Sequence, residues 1–117
     1  VFHQDHVHPY AGFENKNLKK KGFPMETIEK WQVLRNKLPN LQLLQGAVNE
    51  SKNDLPLVDW LKETGNTIKY MPEGVSPDIK DFDTFYEKRK ELMKAELKNV
   101  LGYTEATKEE TKNEMGN

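Results

Sequence analysis

Strand character in this chain is confined to short, widely separated runs, which limits the sheet it can build. Val1 to His6 alternates loosely and carries β-branched and aromatic residues, until Pro9 and Gly12 break it. Leu41-Gln42-Leu43-Leu44, followed by Gly46, is too short for a helix and reads as a buried strand. Ile68 to Met71 is a third candidate. Between the first two runs lies a helix. Pro24 suits its first position, because the missing N–H would be unpaired there anyway. Met25, Ile28, Trp31, Leu34 and Leu38 recur at helical spacing, and Pro39 stops the pattern by disfavouring helical backbone at the residue before it. Pairing the two strands then takes a hairpin with a large insertion, and the fold class is α+β.

The remainder is helical. Leu18 to Lys21 reads as a short helical turn ended by Gly22. Residues 49–54 form a polar turn or the first turn of a helix. Asp54 is placed to cap a helix from Leu55 to about Glu63, which buries Leu57, Val58, Trp60 and Leu61 and ends at Gly65-Asn66. A long C-terminal helix runs from about Asp81 to Leu101, with Phe82, Phe85, Tyr86, Leu92, Met93, Leu97, Val100 and Leu101 on its stripe. Gly102 stands where a C-terminal cap favours glycine. Residues 1–102 thus form one domain, and residues 103–117 read as a flexible polar tail.

The 117 residues allow one modest core. The opening at Val1, directly into a strand, suggests one domain of a longer protein. With no cysteine there is no disulfide frame, thiolate zinc site or cysteine nucleophile, which fits a cytoplasmic protein. A net charge of −1 argues against a uniformly basic nucleic-acid surface and leaves room for a local basic patch. No apolar run reaches membrane-span length, so no membrane partner is expected.

All three histidines fall within His3-Gln4-Asp5-His6-Val7-His8-Pro9. Imidazole and carboxylate together can bind a divalent metal and move a proton near neutral pH. If the hairpin forms and a helix packs across it, Asp5, His6, Asn40 and Asn49 come to one edge. Oxygens from Asp5 and Asn49 are hard ligands suited to Mg²⁺ or Mn²⁺. These are parts for metal-assisted hydrolysis of a phosphodiester.

Asp5-His6-Val7-His8-Pro9 resembles the Asp-His-x-x-Pro opening of HNH (His-Me finger, ββα-metal) nucleases. Asn40-Leu41-Gln42-Leu43-Leu44, with Asn49 and Lys52, resembles their second half. The run from Phe2 to about Leu101 is similar to the C-terminal domain of GmrSD-type restriction endonucleases, in which a ParB-like nucleotide-binding domain precedes it. The resemblance implies a ββα-metal core and a DNA endonuclease serving as the effector of a restriction system against foreign or modified DNA. It implies that His6 is the general base, that Asp5 and Asn49 ligate Mg²⁺ or Mn²⁺, and that Asn40 holds the His6 loop. Lys52 would contact a phosphate. Asn stands where the HNH name has its last histidine, and an amide oxygen still serves Mg²⁺.

Blander readings stand beside these. Asp5 and His6 make an ordinary pair at a strand end. Asn40 after Pro39 is a common turn residue, and Asn49 a helix cap. His8, like His3, is expected to touch the substrate or to support the ligating residues from behind, or to have no role. Lys16, Lys19, Lys20 and Lys21 could follow a DNA backbone, although such a run is usually a solvated face. The domain could also be a docking module that keeps the fold without cleavage, or three histidines and Asp5 could form a transition-metal site alone.

Overall fold

The computed structural model describes the backbone of residues 1–114 and the side chains of residues 1–102. Strands β1 (Phe2–His6) and β2 (Leu41–Gln45) form one antiparallel ribbon. Its register sets Asp5 opposite Gln42 and His6 opposite Leu41. Helices α1 (Asn15–Lys20) and α2 (Met25–Leu34) occupy the insertion between the strands. Helix α3 (Gly46–Lys52) follows β2 directly, and α4 (Leu57–Thr64) and the long α5 (Phe82–Glu114) complete a mixed α+β fold.

A two-stranded ribbon cannot stabilise itself in water. Burial comes instead from an aromatic cluster beside it. The Phe82 ring meets Phe13 at 4.8 Å and Trp31 at 5.5 Å between centroids, both edge-on. This geometry suits rings whose faces are negative and edges positive. Trp31 is a buried anchor, and its indole Nε1–H donates to Asp83 Oδ1 at 2.9 Å. Leu57 and Trp60 carry the buried face of α4. Phe82, Phe85 and Tyr86 carry that of α5.

Several boundaries differ from the sequence expectation, each for a local reason. Helix α2 stops at Leu34, and a 3₁₀ turn at Leu38–Asn40 brings the chain back into β2. Leu38 is therefore exposed rather than core. Ile68 to Met71 forms no strand. Tyr70 has a positive φ of 59°, and the Lys69 carbonyl accepts from the Arg89 guanidinium instead of a ladder partner. Helix α3 begins at Gly46, ahead of Asn49, and Asp54 does not cap α4, whose N-cap is Pro56. Helix α5 does not end at Gly102, since an interior glycine costs only about 1 kcal/mol. Because α5 outruns the body, Leu92, Leu97, Val100 and Leu101 are exposed although they lie on its stripe. The reading of residues 103–117 as a polar tail concerns side chains outside the described residues.

Candidate functional site where the ribbon meets helix α3

Asn40 is fully buried at the entry to β2. Its Oδ1 accepts from the His8 backbone N–H at 2.8 Å. Its Nδ2 donates to the His8 carbonyl and to the Arg35 carbonyl, both at 3.0 Å. The Asn40 backbone carbonyl accepts from the Val7 N–H at 2.7 Å. One amide thus fastens the segment just after His6 to the end of the insertion. A buried backbone polar group left without a partner is costly, so this bonding fixes the loop.

Asp5, on β1, is nearly buried. Its Oδ2 accepts from Gln42 Nε2 at 2.9 Å and lies 3.1 Å from Lys52 Nζ. Oδ1 has no hydrogen-bond partner among the described residues. Lys52 has no exposed surface, and its Nζ donates to the His6 carbonyl at 2.7 Å. Burial lowers the Lys52 pKa from its ordinary value, and the adjacent Asp5 carboxylate opposes that fall. The expected phosphate contact at Lys52 therefore meets a different geometry, in which the ammonium is an internal partner of Asp5 and the β1 backbone. Helical spacing puts Asn49 one turn before Lys52 on the same side of α3. Its side chain is half-buried and makes no hydrogen bond among the described residues. His3 lies at the start of the same helix, its Nε2 3.4 Å from where a Cβ on Gly46 would stand. His3 and Asp5 thus face α3 together, as strand alternation requires.

His6 sits at the end of β1 and is half-buried. Its Nε2 lies 2.9 Å from Asn36 Oδ1, and its ring meets Tyr10 edge-on at 5.5 Å. An amide oxygen accepts from an Nε2–H, which leaves the imidazole lone pair on Nδ1.

His8, assigned to substrate, is instead 1 % exposed and packs edge-on against Phe82 and Phe85, at 5.4 and 4.7 Å. Burial first, then the charge of Lys52, drives its pKa down to about 3, so the ring is neutral. His8 Nε2 has no hydrogen-bond partner among the described residues. Lys19 and Lys20 are exposed on α1. Lys20 and His8 line a cleft of about 850 Å³ together with Asp54, Asp59 and Asp78. The four-residue metal cluster of His3, Asp5, His6 and His8 does not form. Among the described residues, no group of three or more His, Cys, Asp or Glu side chains could hold a metal ion. Asp5 and Asn49 are the two oxygen-bearing side chains that the sequence assigns to a metal; Asp5 lies on β1 and Asn49 on α3.

Sequence reasoning missed Gln42, Asn36 and Arg89. Gln42 is a polar residue inside an apolar strand directly opposite Asp5, and that placement was the available signal. Asn36 had none, since its bond to His6 depends on where α2 stops. Arg89 is buried and donates to the Pro39 and Leu41 carbonyls at 2.9 Å, tying α5 to the start of β2. Burial pushes its guanidinium down to about 10.

A scan of protein-family models finds no match to this chain, and a search of curated proteins finds no similar sequence. The likeness to HNH nucleases thus rests on the residues quoted above. Among the described residues, no helix is long and apolar enough to cross a membrane.

Proposed function

We propose that this domain is a metal-dependent endonuclease of the HNH kind, with a ββα-metal core made of β1, β2 and α3. The observation that carries the reading is the joint arrangement of the three elements. A ribbon passes directly into a helix, Asp5 and His6 end the first strand, and Asn40 pins the backbone behind them. His6 Nδ1 takes the proton of the attacking water, with Asn36 holding the opposite nitrogen. Asp5 Oδ1 and the Asn49 amide oxygen would hold Mg²⁺ or Mn²⁺, and the ion would offset charge on the scissile phosphate and the leaving 3′-oxygen. Gln42 and Lys52 hold the Asp5 carboxylate through Oδ2, which leaves Oδ1 as the oxygen that would serve as a single ligand. The substrate is DNA. The biological setting that best fits is a restriction effector acting on foreign or modified DNA, joined to a ParB-like nucleotide-binding domain.

Nicking of supercoiled plasmid in Mg²⁺ or Mn²⁺ tests the reading. The wild-type domain nicks, and His6→Ala abolishes nicking while keeping the wild-type melting curve. Undiminished cleavage by His6→Ala sinks the role given to that imidazole.

A second reading draws on the Lys52–Asp5 ion pair. An internally neutralised carboxylate is also what a non-catalytic docking module, retaining the fold, would contain. That module would bind no metal at Asp5.

A further inference from the structure

One charged side chain near His6 is held in place but left underused. The Arg35 guanidinium carbon stands 3.5 Å from the Tyr10 ring centroid, and Tyr10 in turn touches the His6 ring. The Arg35 carbonyl accepts from Asn40 Nδ2, and the next residue, Asn36, holds His6 Nε2. Backbone and side chain of Arg35 are therefore both fixed by the residues that fix His6. Its own donors have little to do. Nη1 reaches the Tyr10 carbonyl only at 3.5 Å, and the buried Nε has no partner among the described residues. Arg35 forms no ion pair among the described residues.

A buried N–H on a cation is costly to leave without an acceptor. Stacking on an aromatic ring presents the planar fork of a guanidinium edge-first, and that fork matches two oxygens of one phosphate. We propose that Arg35, on its Tyr10 platform, is a phosphate-binding residue that seats the nucleic-acid backbone beside His6. The proposal rests on the nuclease reading for the identity of the ligand. It moves substrate binding away from Lys52 and His8, which are buried, to the half-buried Arg35 beside the exposed Tyr10.

The test is binding of a short DNA duplex followed by fluorescence anisotropy in EDTA across a salt series, so that no cleavage intervenes. Arg35→Gln should raise Kd about tenfold and reduce the salt slope by about one phosphate contact. Arg35→Lys, which keeps the charge and loses the fork, should fall between, and Tyr10→Leu should reproduce part of the loss. Circular dichroism melting checks that each variant folds. Wild-type affinity and salt slope in folded Arg35→Gln and Arg35→Lys would overturn the proposal, as would a wild-type domain that does not bind the duplex. His6-dependent nicking with Arg35-independent binding would remove the proposal and keep the nuclease reading. Arg35-dependent binding without nicking would keep Arg35 as the phosphate contact and remove the hydrolytic reading.

Discussion

The two halves of this small fold are held by different forces. Below the ribbon, Phe13, Trp31 and Phe82 stack edge to face and supply burial. Around the ribbon, three buried polar side chains do the fastening, and each bonds to backbone. Asn40 grips His8, Lys52 grips the His6 carbonyl, and Arg89 grips Pro39 and Leu41. Apolar contacts are individually weak and non-directional, so they set volume rather than position. Hydrogen bonds to backbone set position, and losing one partner orphans the other. The aromatic half therefore makes the domain fold, and the polar half determines where Asp5 and His6 stand.

Substitutions on either side sharpen that division. Phe82→Ala should have the largest effect, a loss of about 3–5 kcal/mol in urea unfolding, because it removes a buried ring at the centre of the cluster. Asn40→Ala should cost less overall, about 2–3 kcal/mol. Its effect should be local, with the His8 amide losing hydrogen-exchange protection well before those of α4. Equal loss of protection throughout would erase the distinction between the halves.

A pH dependence of stability arises at the seam, where His8 touches both Phe82 and Phe85. The folded ring stays neutral down to about pH 3, whereas the unfolded chain takes up a proton from its ordinary value of 6.5. Between those values the folded state binds fewer protons. Stability attributable to His8 is therefore complete above pH 6.5 and falls toward pH 3, by up to about 1.4 kcal/mol per pH unit. Denaturant midpoints measured across that range should show a shallower acid slope in His8→Phe than in the wild type.

The parts of the fold legible in sequence were those written in local pattern. The positions of both strands, the start of α2 at Pro24, the end of α4 at Gly65 and the burial of Trp31 and Phe82 follow from punctuation and periodicity, whereas β2, expected to be buried, is half-exposed with Leu43 in solvent. Asn40 was legible as a residue worth watching, although only the structure reveals that its amide bonds both sides of the His8 peptide. Buried cations were not legible. Lysine and arginine are normally solvated, and nothing local to Lys52 or Arg89 announces the carboxylate or carbonyls that meet them across the fold. The far end of α5 misled for the opposite reason. Its stripe is genuine, but periodicity cannot tell whether anything lies against it.

The central claim is that Asp5 and Asn49 form half a metal site, with Lys52 and Gln42 orienting the carboxylate from behind. Titration of Mn²⁺ into the folded domain, followed by electron paramagnetic resonance of the free ion, measures this without any cleavage. The account predicts saturable binding that weakens at least about tenfold in both Asp5→Ala and Asn49→Ala. Absence of binding, or binding indifferent to both substitutions, would contradict it.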